Sequence, residues 1–202
     1  MLSDKGRKTQ EFLVKTAFDI IVEKGIEALS LDRIVERAGI SKGALTYHFK
    51  NKHELYKALI EYYIIHMDEE MQKYTLLFEG DPADCLIAGY VMWFRAFEQN
   101  NRDWARVGHT LLSNFSHDPE LMEPVRAWYR ALYERIEALP KEKQAPALTC
   151  IMTLEGFFYV HKFGFNSLSP ELKENLWVFL QTQYIGKISY HLPTSGTGFV
   201  LQ

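Results

Sequence analysis

The chain is poor in the residues that punctuate compact β structure. Only 12 glycines and 7 prolines occur in 202 residues, too few tight turns for an all-β sandwich or barrel. The two cysteines, Cys85 and Cys150, lie far apart in apolar surroundings. They fit neither a disulfide framework nor a zinc site and point to a reducing cytosol. No run approaches the roughly 18 apolar residues of a membrane span. Met1 to Gln10 is charged and lacks an apolar stretch, so no secretory signal is expected. Enzyme signatures are missing too. There is no Gly-rich phosphate loop, no HExxH, no nucleophile elbow and no Cys-His pair in a suitable context. His109, His117, Asp118 and Glu120 do not share metal-ligand spacing on one helical face. The chain is therefore expected to be no enzyme, without metal or cofactor.

What remains is ordinary globular material: 47% apolar, 14% aromatic and 24% charged residues, too apolar for disorder. The net charge of −3 is unevenly spread. Residues 1–57 hold 11 Lys+Arg against 8 Asp+Glu, a net +3, and residues 58–202 hold 12 against 18, a net −6. A basic front on an acidic body hints at a polyanionic partner for the front alone.

Apolar spacing predicts helices throughout and no strand. Phe12, Leu13, Ala17, Ile20 and Ile21 mark the first, with Lys24-Gly25 as its stop. Ser30 caps a short helix to Ala38-Gly39, Ser41 caps a third from Lys42 to Phe49, and Asn51 caps a long fourth from Lys52 to about Phe78. Gly80-Asp81-Pro82 is the clearest break. Later helices are expected near 83–99, 102–116, 119–138, 145–164 and 170–191, about nine in all, with His117-Asp118-Pro119 read as a turn and cap. The expected organisation is an N-terminal helical domain over 1–57, a second helical domain over 58–192 and a flexible tail over 193–202.

Two short helices separated only by Ala38-Gly39-Ile40-Ser41 form a helix-turn-helix arrangement. Gly39 supplies the left-handed turn conformation, and Ile34, Ile40 and Leu45 supply a small shared core. Lys42, Gly43 and Ala44 open the second helix with one cation and two small residues, which lets backbone approach a groove closely. Thr46, Tyr47 and His48 follow, with Lys50 and Lys52 behind, donors suited to phosphates and base edges. Arg7 and Lys8 are candidates for an arm near the minor groove.

At these residues the sequence resembles the TetR family of transcriptional regulators. The matching run is Gly25 to Leu55, GIEALSLDRIVERAGISKGALTYHFKNKHEL. It holds the closing Gly25, the Ser30 cap, the Ala38-Gly39-Ile40-Ser41 turn, Lys42-Gly43, Leu45 to Phe49, and the closing Lys52 and Leu55. Thr46 stands where the family usually has Tyr, Val35 where it has Ala, and His53 where it has an acid. The resemblance implies an all-α fold, an N-terminal three-helix DNA-binding domain followed by a helical ligand-binding and dimerisation domain. On this reading Lys42, Gly43 and Thr46 approach base edges. Tyr47, His48 and Lys52 grip phosphates, and Ser30 and Ser41 cap the helices presented to DNA, Ser30 beside a further phosphate.

The body is expected to dimerise and to hold an effector. The candidate dimer interface is Leu148, Phe158, Leu176, Phe179 and Gln183, on two strongly apolar helices. The helix over 145–164 is apolar nearly all round and must be covered on more than one side. The candidate ligand-binding residues are Trp93, Phe97, Trp104, His109, Asn114, Trp128, Met152, Glu155 and Tyr159, large rings with a few polar groups among them. The functional expectation is a cytoplasmic, nucleoid-associated, bacterial-type repressor. It binds a palindromic operator of double-stranded DNA as a homodimer and is released by a small, largely apolar effector of unknown identity. The alternative is a nucleoid-bound adaptor whose body recruits a protein.

Overall fold

A computed structural model describes residues 3–100, 102–162, 164–165, 168–186 and 189–190. The described residues form nine α-helices: α1 (Asp4–Lys24), α2 (Leu31–Ala38), α3 (Lys42–His48), α4 (Lys52–Thr75), α5 (Pro82–Asn100), α6 (Arg102–Phe115), α7 (Glu123–Glu137), α8 (Lys141–Lys162) and α9 (Pro170–Tyr184). A 3-10 turn at Ile26–Ala28 and an antiparallel pair of two-residue strands, β1 (Phe78–Glu79) and β2 (Ser189–Tyr190), complete the set. The all-α expectation holds. None of these helices is long and apolar enough to cross a membrane. The expected tail, 193–202, lies outside the described residues.

The chain divides into two compact units. One comprises Met1–Met67 with Asn101–Ala131, the other Asp68–Asn100 with Leu132–Gln202. In the first unit α1 starts earlier than its apolar pattern suggests, because Ser3 accepts a hydrogen bond from the Gly6 amide and caps it. Arg7 and Lys8 therefore sit on a helix rather than in an extended arm. Arg7 pairs with Asp4 one turn away. Leu13, Val14, Ala17, Phe18, Ile20 and Ile21 form the buried stripe of α1, and Gly25 (φ 81°) ends it as expected. Trp104 of α6 stands at the centre of a ring cluster, stacked on His66 at 3.6 Å and packed against Phe18 at 4.3 Å. Arg106 donates to the Val22 carbonyl at 2.6 Å, tying α6 to the last turns of α1. The start of α7 is displaced from 119 to Glu123. Asp118 takes the Glu120 and Leu121 amides at 3.0 Å into a turn, and Glu123 bonds back to Glu120 in 3-10 fashion.

In the second unit α5 packs against both α8 and α9. It is α5, not α8, that is covered on every side: Leu86, Ile87, Ala88, Tyr90, Val91, Trp93, Phe94 and Phe97 are all buried. The α8 helix begins at Lys141, a turn before the expected 145, directly after Pro140, and accommodates Pro146 inside. Its outer face leaves Leu148, Met152, Tyr159 and Val160 exposed. Ser169 caps α9, with Pro170 in the first turn. Charges fasten the ends. Lys143 bridges Asp81 and Asp84 at 2.9 Å each, and Arg95 meets Glu174 at 3.0 Å while lying over the Trp177 ring. Lys173 pairs with Glu98 and lies over Phe157. Cys150 is fully buried, and burial pushes its thiol up to about 12. The Cys85 thiol is raised for the same reason.

At Gly89 two helices of this unit approach closely: a Cβ there would fall 2.5 Å from the Thr75 Cα. Backbone cannot yield as a flexible side chain would. Gly89→Ala is expected to cost about 1–3 kcal/mol or more through overpacking, read as a lower urea midpoint. An unchanged midpoint would show that α4 and α5 do not meet this closely.

Candidate nucleic-acid interface

The segment from α2 to α3 is built from local rules. Ser30 caps α2 by accepting from the Arg33 amide at 3.2 Å, and Ser41 caps α3 by accepting from Ala44 at 3.1 Å. Between them Gly39 is left-handed (φ 66°, ψ 32°), a conformation that costs a side chain about 1–2 kcal/mol. Ile34, Leu45 and Phe49 are buried. Ile40, expected in that core, is only half-buried. The left-handed residue before it swings it toward a surface hollow of about 580 Å³ lined with Phe12, Lys5 and Lys8. Two ties set the position of α2. Arg37 grips Glu23 of α1 through two bonds of 2.5 and 2.6 Å, and Arg33 donates to the Ala28 carbonyl at 2.7 Å.

Among the residues of α3 only Leu45 is buried. Lys42, Gly43, Ala44, Thr46 and Tyr47 are exposed, Tyr47 to 72%. A Cβ on Gly43 would meet nothing nearer than the Ser41 hydroxyl at 3.9 Å, so the fold itself does not require glycine there. Thr46 spends its hydroxyl proton on the Lys42 carbonyl at 2.8 Å, which leaves a methyl and lone pairs, not a donor, for any outside contact. His48 is half-buried against the edge of Tyr47, and its Nδ1 is buried without a hydrogen-bond partner. Lys52 lies over the Tyr56 ring at 5.3 Å. One residue that sequence reasoning missed is Asp32, whose carboxylate meets Lys42 Nζ at 2.7 Å. Nothing in a linear pattern marks a pair ten positions apart across a turn. The Arg37–Glu23 tie was invisible for the same reason.

Behind α3, Asn51 caps α4 as expected, accepting from Glu54 at 2.9 Å, and Glu54 accepts in return from the Lys50 amide. His53, one of the three departures from the family pattern, bonds Asp118 at 3.1 Å, and Lys57 meets Glu120 at 3.2 Å. These contacts hold the 116–122 turn against the first turns of α4. The amide of Leu121, and then His53, hold the Asp118 carboxyl below its ordinary range.

The expected ligand residues do not gather within one unit. Trp104, half-buried His109, exposed Asn114 and half-buried Trp128 belong to the first. Asn114 donates to the Thr110 carbonyl of its own helix. Trp93, Phe97, Met152, Glu155 and Tyr159 belong to the second. Of these, Trp93 and Phe97 are buried, and Glu155 accepts from buried Tyr90 at 2.6 Å. Met152 and Tyr159 lie instead on the outer face of α8 with Leu148. The indole Nε1 of Trp93 is buried without a hydrogen-bond partner. Of the expected dimer residues, Leu148, Phe179 and Gln183 are exposed. Leu176 is half-buried, and half-buried Phe158 packs on Phe94 and Phe97.

A capped, glycine-turned helix pair that presents a small, polar helix outward defines a helix-turn-helix protein. Residues 13–59 match the family model of bacterial regulatory proteins of the tetR family, and residues 84–183 match that of the tetracyclin repressor-like C-terminal domain. The chain belongs to the TetR family of transcriptional regulators, a family of regulators and not of enzymes. The Transposon Tn10 TetC protein of Escherichia coli is 38% identical over 74 residues, 37% of this chain and 38% of that protein. The chain spans well under half the length of the first curated relatives it matches, 38% in each case. Among solved structures, the protein SCO7518 from Streptomyces coelicolor A3(2) shares the fold with a TM-score of 0.68 at 17% identity, over 87% of this chain and 98% of that one. The multidrug binding protein EbrR, complexed with ethidium, shares it with a TM-score of 0.63 at 17% identity, over 85% of this chain and 97% of that one.

A carboxyl held below its ordinary pKa stabilises the fold above the ordinary carboxyl range. That contribution is lost as pH falls through the depressed value. Asp118→Asn keeps an acceptor for the two amides but removes the charge. The parent is expected to be more stable than Asp118→Asn at neutral pH, with the gap closing in acid, as followed by circular dichroism. A gap independent of pH would mean that the charge on Asp118 contributes nothing.

Proposed function

We propose that this protein is a transcriptional repressor that binds duplex DNA as a homodimer through α3 and is released by a small, largely apolar effector held by its C-terminal helices. The observation that carries the reading is the exposed face of α3. A helix whose one buried side chain is Leu45 presents Lys42, Gly43, Ala44, Thr46 and Tyr47 outward, and the fold leaves room for a side chain at its glycine. On this reading Lys42 and Gly43 approach base edges, and Thr46 offers a methyl and an acceptor rather than a donor. Tyr47, His48 and Lys52 grip phosphates, with Ser30 and Ser41 fixing the two helix ends.

Dimerisation is supported by the apolar side chains left open on α8 and α9: Leu148, Met152, Tyr159, Leu172 and Phe179. Gly156 has nothing within 4 Å of its Cβ position, room for a second helix to come close. Phe158, Leu176 and Gln183 complete the proposed interface. The effector reading is supported by the unpartnered Trp93 indole, whose ring packs on Tyr90, since a buried donor favours an acceptor brought by a ligand. The EbrR likeness, to a protein described as multidrug binding, points the same way. The adaptor alternative gains no such support.

Two measurements test the proposal. Gly43→Ala is expected to raise thermal stability slightly, by up to about 1 kcal/mol from helix propensity. It should also weaken binding to a duplex recovered by the parent from a randomised pool, and parent binding should fall steeply with added salt. Unaltered duplex affinity in the variant would remove α3 from the interface. Phe179→Glu is expected to convert a dimer to a folded monomer in light scattering, because it places a charge in the apolar interface. A variant that remains dimeric would place the interface elsewhere.

A further inference from the structure

We propose that Asp32 is a specificity-determining residue of the duplex-reading surface: its carboxylate holds Lys42 in the free protein and must be displaced before that ammonium engages DNA. The inference rests on the DNA-binding reading above and adds to it a residue whose charge has the wrong sign for a phosphate contact.

Three observations carry it. The first is proximity: Lys42 Nζ lies 2.7 Å from Asp32 Oδ1. The pair links the first turn of α2 to the first turn of α3. The second is exposure: the two side chains are 74% and 73% accessible, so the pair is not fixed by packing and is weak enough to be exchanged for another partner. The third is sign. Lys42 is the first residue of α3, where the aligned peptide dipoles disfavour a cation. Asp32, in the first turn of α2, lies where they favour an anion and supplies the counter-charge that Lys42 lacks.

The consequence for binding is a competition. A phosphate approaching this surface must take Lys42 from Asp32 and then faces a bare carboxylate of its own sign. Backbone-only contact, the substance of non-specific binding, is thereby penalised on every duplex. A base edge alters the balance. Guanine O6 and N7 offer Lys42 uncharged acceptors. A base edge thus takes the ammonium without bringing a second anion against Asp32, whereas a phosphate does bring one. Asp32 is a positioning residue in this account, acting through Lys42.

The test uses the full chain as parent, Asp32→Asn, Lys42→Ala and the double variant, with equal thermal midpoints as the check on folding. The probes are a duplex recovered by the parent from a randomised pool and a scrambled duplex of the same composition. Asp32→Asn is expected to tighten binding to the scrambled duplex and to lower the ratio of the two affinities by roughly tenfold, the size of one base contact. In the Lys42→Ala background the same substitution is expected to leave the ratio nearly unchanged, because the partner is already gone. Asp32→Glu, which keeps the charge, is expected to retain the parent's ratio. If Asp32→Asn changes the ratio equally in both backgrounds, Asp32 acts as a diffuse negative charge and the proposal fails. It fails as well if the ratio never moves. A parent that recovers no preferred sequence overturns the DNA-binding reading and this inference with it. A parent that selects a sequence but shows no coupling overturns this inference alone.

Discussion

A helix of seven residues does not hold its shape in water, because the cost of nucleation is repaid only over longer stretches. The α3 helix, Lys42–His48, exists because its surroundings impose it. Leu45 and, at its C-cap, Phe49 are buried, the Ser41 hydroxyl takes an orphan amide, and Gly39 turns the chain into position. Nearly all of the helix's fixing comes from its ends and one side chain. Its outer surface is thereby released from structural duty, which is why small and polar residues can occupy it without loss. The ties that steady α2 beneath it extend the same constraint to α1. Arg37 holds Glu23 there, and the Arg106–Val22 bond joins α6 to that helix.

The second unit solves a different problem. Its central helix, α5, is buried along most of its length, and the surrounding helices meet it through rings: Trp93, Phe94, Phe97, Phe157, Phe158 and Trp177. Such a core is adhesive but says little about register. Register comes from polar contacts at its margins, where Arg95 and Lys173 each combine a carboxylate with a ring face, and from the backbone contact of Gly89 with Thr75. Tyr90 and Glu155 carry one hydrogen bond into the interior. Beside it the Trp93 indole remains unanswered, the sort of imbalance that a filled apolar core does not otherwise tolerate.

Local features were legible in the sequence in proportion to how local their physics is. The caps Ser30, Ser41 and Asn51, the left-handed Gly39 and the Asp118 turn each depend on neighbours a few residues away, and all are found as expected. The helix count follows for the same reason. Helix ends were less legible: Ser3 extends α1 by more than two turns before its apolar stripe begins, and Pro146 is absorbed within α8. Contacts between distant positions left no trace, so neither Arg37–Glu23 nor Lys42–Asp32 was foreseen. The facing of side chains was not legible either. Large rings near one another in sequence say nothing of which side of a helix they occupy, and Met152 and Tyr159 turn out to face outward.

The two sulfurs carry one more consequence. Oxidants and electrophiles attack the thiolate, so a cysteine reports on them only when it ionises near neutral pH and can be reached. Cys150 meets neither condition, being sealed in the core with its ionisation pushed up to about 12, and Cys85 is shifted in the same direction. Burial and the direction of both shifts work against either sulfur serving as a sensor of oxidants or electrophiles.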